Sequence, residues 1–390
     1  MITENLPDDL SLPALLLDLD AFDQKCKMIA EKANGKTIRI ASKSIRSVPV
    51  LKRIFESNEV FKGLMCYSPY EAIFLAEQGF DDILLGYPCW NPEALAQIAA
   101  LNGAGKQITC MVDSMEQIRH LNKISEKVNG LIFVCIDVDM STTFGSLHFG
   151  VRRSPLKTEN DVIRLAMVIK DSPNLKFLGV MGYEAQIAGV GDRLPSQQVK
   201  NRVVTMLKKK SIHTIKRRRE RIVRALEKEG LKPVLVNGGG TGSLNTTSKE
   251  ECVTELTAGS GFYSPLLFDY YRDFHFKPAL FFALQVVRKP ASNIYTCLGG
   301  GYIASGPHGK DKVPQPVYPP GGKLLSFEGA GEVQTPVYYE RETLEIGDPI
   351  IFRAAKAGEI CERFDEILCV DQQQVVDRYL TYRGEGKCFL

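Results

Sequence analysis

The chain has 390 residues, of which 44% are hydrophobic and 24% charged. That is ordinary globular composition, with length enough for two domains. Its 49 Lys and Arg against 46 Asp and Glu leave a net charge of +3, which excludes a dedicated nucleic-acid binder unless the positive charge is clustered. No apolar run approaches the roughly 18 residues of a membrane span, and the acidic opening from Met1 to Asp9 reads as neither a signal nor a transit peptide.

Ten cysteines stand at 26, 66, 89, 110, 135, 252, 297, 361, 369 and 388. None forms a CxxC pair, and most sit in apolar runs such as 131–136. They read as buried, reduced thiols used as small hydrophobes, not as a zinc site or a disulfide framework, and they point to the cytoplasm.

In chain order, the apolar runs 14–17, 37–41, 63–67, 82–86, 108–112, 131–138, 177–181 and 233–237 are predicted strands. Amphipathic stretches separate them. Residues 49–55 form one. Residues 68–79 form another, with Ser68 as cap, an early Pro69 and a terminal Gly79; a third opens at 113–118. Strands apolar on both faces and alternating with helices over about 250 residues predict an α/β fold, a (β/α)8 TIM barrel ahead of a doubly wound open sheet. After about residue 275 strand-like runs follow one another without long helices, at 281–287, 293–297, 323–326, 349–352 and 366–370. They predict a C-terminal all-β domain. The expected division is a barrel over 14–272 and a β domain over 273–390, with residues 1–13 as a candidate addition to the latter.

Between residues 200 and 224 stand eleven lysines and arginines, with Ile212, Ile215, Ile222, Val223 and Leu226 on an approximate helical stripe. This reads as a solvated helix face, with RNA or anionic-membrane binding as the alternative. The run holds no aromatic residue, which argues against base stacking.

Lys43 follows the apolar run Ile38–Ala41. At the C-terminal end of a barrel strand a side chain faces the mouth where such barrels carry out their chemistry. A lysine there can form an imine with a carbonyl compound. The second signal is Asn237-Gly238-Gly239-Gly240-Thr241-Gly242-Ser243, an apolar strand running into glycines and hydroxyls. Glycines let backbone N–H groups approach a phosphate, and Thr241 and Ser243 add hydroxyl donors. No Gly-Lys-Thr/Ser follows and no GxGxxG fingerprint appears, so this is neither a Walker A nor a dinucleotide loop.

These features resemble the fold-type III pyridoxal phosphate enzymes, the alanine racemase N-terminal domain superfamily. Residues 12–22 (LPALLLDLDAF) look like that family's TPALVVDLDALE opening, Ser42-Lys43-Ser44 like its lysine site, 237–243 like its SGGGTGT phosphate loop, and Glu255–Ser260 like the E-x-RPGTY that follows. Within the superfamily the chain is similar to the D-threonine aldolase and D-serine dehydratase branch. The resemblance implies pyridoxal 5'-phosphate held by Lys43 as an internal aldimine. It implies a phosphate site at Gly239, Gly240 and Thr241, with Gly259 and Ser260 beside it, Tyr263 in place of the usual phosphate tyrosine, and Gln186 near a conventional tyrosine position. His148, in His148-Phe149-Gly150-Val151, stands where the family shows R-x-GV, which puts an arginine contact to the ring in doubt. Arg46 or Arg152 is expected to pair with the substrate carboxylate, and Tyr302 to lie near the substrate.

The branch carries a P-N-H-x-C/D metal motif before a DELYVV-like strand, matched here by Asp365–Val370. Counting back places Lys356 at the His position and Gly358 at the Cys/Asp position. Neither residue is a metal ligand here, so no metal site is expected; Glu359 and Cys361 are the only candidates to rebuild one. Lys356 is instead a candidate charge or base. The implied activity is a lyase acting on D-amino acids or β-hydroxy D-amino acids by aldol cleavage or dehydration. An amino-acid racemase and a non-catalytic cofactor-binding protein are the alternatives. The expected partners are a small amino-acid substrate and a second copy in a homodimer, with no nucleic acid and no membrane.

Overall fold

The computed structural model describes residues 10–195, 197–273, 276–307 and 309–390. Residues 1–9, which carry the reading of the opening segment and most of the candidate addition to the β domain, lie outside the described residues.

The first described strand is β1 (Ala14–Asp18). Then come β2 (Thr37–Ala41), β3 (Phe61–Cys66), β4 (Ile83–Pro88), β5 (Ile108–Val112) and β6 (Ile132–Asp137), a hairpin of β7 (Thr142–Phe144) and β8 (Leu147–Phe149), and β9 (Leu175–Gly182), β10 (Leu235–Gly238) and β11 (Glu255–Ala258). Eight of these close a barrel in the order β10-β11-β2-β3-β4-β5-β6-β9, all pairs parallel. Leu84, Met111, Cys135, Leu178, Met181 and Leu235 form a buried cluster from five of its strands, with Met65, Phe133 and Tyr183 packed against it. The predicted helix at 113–118 starts at its cap: Ser114 accepts from the Gln117 N–H at the head of Met115–Val128, while Ser68 precedes Pro69–Glu77 without a side-chain cap bond. Thr158 caps the unpredicted helix Glu159–Lys170 by accepting from the Asp161 N–H.

In the count of eight barrel strands, two differ from the sequence reading. The run 14–17 is not a barrel strand: β1 pairs antiparallel with the later strand at Leu280–Ala291 and parallel with Glu366–Asp371. Leu16 is buried with Phe281, Ala283, Ile351 and Leu368. An apolar strand is at home in either sheet, and hydropathy does not tell which. The barrel is completed by β11, whose polar positions hid it. Glu255 accepts from Arg39 Nε at 2.6 Å and from Asn237 Nδ2 at 2.6 Å, and Asn237 Nδ2 also donates to Thr257 Oγ1 at 2.9 Å.

The remaining strands are β12 (Leu280–Ala291), β13 (Ile294–Leu298), β14 (Gln315–Tyr318), β15 (Lys323–Leu324), β16 (Gln334–Tyr338), β17 (Pro349–Arg353), β18 (Glu366–Asp371) and β19 (Gln374–Leu380). With β1 they build a nine-stranded sheet. The chain divides into two compact units. The sheet unit takes 10–28, 44–57 and 260–388; the barrel unit takes 29–43, 58–259 and 389–390. The chain thus passes from the barrel unit to the sheet unit immediately after Lys43.

The basic run is one helix, Gln198–Lys228. Its solvated-face reading holds for one side only. Arg219 is 1% exposed, and Lys208, also buried, lies 3.7 Å from Asp192. All ten cysteines are free, eight of them buried. No helix among the described residues is long and apolar enough to cross a membrane.

Candidate active site

The barrel's parallel strands bring one set of side chains to their C-terminal ends. Lys43 lies two residues past β2, exposed between the buried Ser42 and Ser44 of a one-turn helix (Ser42–Ser44). Its Nζ donates to the Tyr87 hydroxyl, on β4, at 3.2 Å and sits 5.8 Å from that ring's centre. Arg153 lies 5.4 Å from the centre of the Tyr87 ring and 5.4 Å from that of Tyr183, which follows β9. Such cation–face geometry holds a guanidinium without neutralising it. Burial pushes the Tyr87 phenol up, but the Lys43 and Arg153 cations outweigh it and leave the phenol below its usual range. Tyr183 is pushed up to about 12, mainly by burial.

Asp137 ends β6 and is 7% exposed. Burial pushes its carboxyl up to about 7, with Asp113 and Asp139 adding to the rise and Arg153 opposing it. A carboxyl raised in this way favours the fold in its neutral form. Its stabilising contribution is therefore complete below the usual carboxylate range and lost as pH rises through about 7. Asp137→Asn should accordingly gain in Tm relative to wild type as pH is raised from 4 toward 8 (about that window), a difference that calorimetry in the absence of ligands can read.

The glycine loop leaves β10 with Gly239 at φ 90°, a conformation that disfavours side chains, and enters a turn at Thr241–Ser243 followed by Leu244–Thr247. A Cβ at Gly240 would stand 2.8 Å from Ala188 Cβ and 3.1 Å from the Tyr183 ring. The buried Glu184 braces the loop from below. It accepts from the Gly239 N–H at 3.2 Å, from Ser243 Oγ at 2.8 Å and from Thr247 Oγ1, and lies 3.0 Å from Arg219 Nη2. Arg219 in turn pairs with Glu250 and donates to the Gly182 carbonyl at 3.0 Å. Gly259 closes the rim, its N–H donating to Thr241 Oγ1 at 3.4 Å.

Other expected site residues are engaged elsewhere. In this structure the Gly239 N–H donates to Glu184 at 3.2 Å and the Gly240 N–H to Ser243 Oγ at 3.1 Å. Gln186 is 1% exposed; its amide donates to the Met140 carbonyl at 2.7 Å, and its Oε1 has no partner among the described residues. Arg152 is exposed, and it is its neighbour Arg153 that lies over the two tyrosines. Five lie in the sheet unit. Arg46, at φ 53°, pairs with Glu362 at 2.7 Å. The Ser260 carbonyl accepts from the Ser264 N–H at 3.0 Å. Tyr263 is 1% exposed and donates its hydroxyl to the Ile45 carbonyl at 3.0 Å. Tyr302 packs edge-on against Phe282 and Phe364. Lys356 donates to the Ser305 carbonyl at 2.6 Å.

The residues that could have rebuilt a metal site do not fit one. Glu359 accepts from the Ser305 N–H at 2.8 Å and from its hydroxyl, while Cys361 is buried, its thiol pushed up to about 12 chiefly by burial. Among the described residues no group of three or more His, Cys, Asp or Glu side chains is placed to hold a metal ion. Tyr87, Asp137 and Glu184 were missed in the sequence, although each sits at or near a strand end as Lys43 does; Arg153 comes from an irregular segment, where the sequence reading named its neighbour Arg152 instead.

A model of the alanine racemase N-terminal domain matches residues 17–265. The chain is 28% identical over 254 residues to a 3-hydroxy-D-aspartate aldolase of Paracoccus denitrificans (strain Pd 1222), a match covering 65% of this chain and 60% of that relative. Its fold is similar to a crystal structure of D-threonine aldolase from Filomicrobium marinum, with TM-score 0.82, 19% identity and coverage of 97% of this chain and 96% of that one. It is also similar to D-threo-3-hydroxyaspartate dehydratase from Delftia sp. HT23, with TM-score 0.77, 17% identity and coverage of 97% and 99%.

Proposed function

We propose that this chain, which belongs to the alanine racemase N-terminal domain family, is a pyridoxal-phosphate-dependent lyase that acts on β-hydroxy D-amino acids, with Lys43 as the cofactor's covalent anchor. The observation that carries the reading is the placement of the Lys43 amine and the Gly239–Thr241 cradle on one rim, at the C-terminal ends of β2 and β10. The curated relative supports the substrate class by its name; the chain spans 60% of that protein's length.

The residues present fit the cofactor. The Gly240 backbone approaches Ala188 and Tyr183 so closely that a Cβ there would stand 2.8 and 3.1 Å from them, so no side chain covers the loop at that point, and Thr241 and Gly259 line the same turn. Pyridoxal phosphate, when bound, supplies an electron sink for the bond broken at the substrate's Cα. The chain's own residues do the rest. Lys43 Nζ, once free, takes or returns a proton at the substrate, with the Tyr87 hydroxyl at 3.2 Å as its relay partner. Tyr87 suits that role because the two cations hold its phenol below the usual range. Asp137, at about 7, exchanges a proton near neutral pH. Arg153 is the carboxylate-pairing arginine in place of Arg152, its guanidinium held on two ring faces and open to a planar anion. We also infer a cytoplasmic homodimer, supported by the reduced state of the cysteines and by the family resemblance.

Gly240→Ala, whose Cβ would stand 2.8 Å from Ala188 Cβ, should push the loop aside, lower the Tm and weaken cofactor binding by at least about tenfold, a loss of about 1.4 kcal/mol; titration of apoprotein by its visible absorption measures the binding. The function itself is tested by incubating the cofactor-loaded protein with D-threonine, D-serine and D-3-hydroxyaspartate. Glycine plus aldehyde, or ammonia plus keto acid, is expected from the D and not the L isomers. Racemisation alone would overturn the lyase reading.

A further inference from the structure

The catalytic reading leaves the outer side of helix Gln198–Lys228 without a role. This helix holds twelve Lys and Arg against two Glu, a balance of +10, so the rest of the chain, at +3 overall, carries −7. One side packs inward through Val204, Leu207, Ser211, Ile215, Ile222 and Leu226. The opposite side, at spacings of three, four or seven residues that keep one helical face, presents Val199, Val203 and Met206 and then Lys210, Arg217 and Arg224, all exposed. The three apolar side chains are 77%, 43% and 50% exposed. Exposed cations on this side are scarcely neutralised: Arg221 pairs with Glu159 at 2.7 Å and Lys216 with Glu220 at 3.8 Å, while Glu227 is the one exposed acid of the helix.

We propose that this face is a docking surface for an anionic lipid bilayer. The helix spans about 46 Å, and its outward stripe combines an apolar end with a run of cations. At a bilayer surface both are rewarded: methyl and thioether groups enter the boundary between headgroups and acyl chains, and the cations meet negative headgroups. A nucleic-acid duplex answers only half of the stripe. Its phosphates would neutralise the cations, but Val199, Val203 and Met206 would gain nothing, and the helix offers no Phe, Tyr or Trp ring for base stacking. Such docking is reversible and lies in the membrane surface. It needs no spanning segment, so it is compatible with the absence of a long apolar helix among the described residues.

The test uses the full chain and phosphatidylcholine vesicles with or without phosphatidylserine, separated by flotation at constant salt. The protein should float with the phosphatidylserine vesicles and bind pure phosphatidylcholine at least about tenfold more weakly, with affinity falling as salt rises. Lys210→Glu/Arg217→Glu/Arg224→Glu should lose the binding. The uncharged change Val203→Ser/Met206→Ser should weaken it several-fold, about what two lost apolar insertions give. Both variants should keep the helical circular dichroism and the turnover of the parent. Failure to float, undiminished binding by the serine variant, or tighter retention of duplex RNA than of the vesicles at the same salt would overturn the proposal.

Discussion

Lys43→Ala is expected to remove the visible absorption of the cofactor-loaded protein and to lower turnover by about a thousandfold or more, the scale seen when a covalent group is deleted from a site whose other parts remain. Lys43 is exposed and its backbone forms a single helical turn, so its truncation opens no cavity. Thermal stability of the apoprotein should therefore stay within about 0.5 kcal/mol of wild type. Loss of turnover with the fold unchanged separates the chemical role from a structural one. A Tyr87→Phe variant tests the relay: it should keep the absorption band and change the pH dependence of turnover, since it removes the hydroxyl that accepts from Lys43 Nζ at 3.2 Å.

Arg219→Met is expected to be the most destabilising single change in the barrel unit. Arg219 is 1% exposed and lies between Glu184 and Glu250, 1% and 5% exposed. Removing the cation leaves two buried carboxylates facing each other. Breaking a buried pair in this way costs about 3–5 kcal/mol, and the Tm should fall on the order of 10 °C. The damage should reach the phosphate loop, because the same Glu184 holds the Gly239 N–H, Ser243 and Thr247. A double variant, Arg219→Met with Glu184→Gln, should recover part of the Tm because it removes one of the stranded charges; calorimetry on the three proteins reads the coupling. Equal losses in the single and double variants would mean that the arginine acts by packing alone.

These two residues mark what could be read from the sequence. Lys43 and the glycine loop were legible because each signal is local: a functional group directly after an apolar strand, and four glycines within five residues (238–242). The barrel was legible for the same reason, since strands covered on both faces leave near-continuous apolar runs. Arg219 was not, because a cation in a basic run looks solvated until the carboxylates at 184 and 250 are brought to it by the fold. β11 was hidden in the opposite sense, its inward Glu255 satisfied by Arg39 and Asn237 from other strands. β1 had the right hydropathy but the wrong sheet, since pairing partners more than 250 residues away decide its place. Arg152 and Arg153 are chemically the same, and only backbone geometry says that it is Arg153 that lies over Tyr87 and Tyr183. Tyr263 shows the limit of motif register, its hydroxyl donated to the Ile45 carbonyl and its ring packed against Phe22.

The central claim, that Lys43 anchors the cofactor at the barrel mouth, is tested most directly by trapping. Protein loaded with pyridoxal phosphate is reduced with borohydride, digested and mapped by mass spectrometry. The account predicts one phosphopyridoxyl adduct, on the peptide that contains Lys43. An adduct on another lysine, or none, would contradict it.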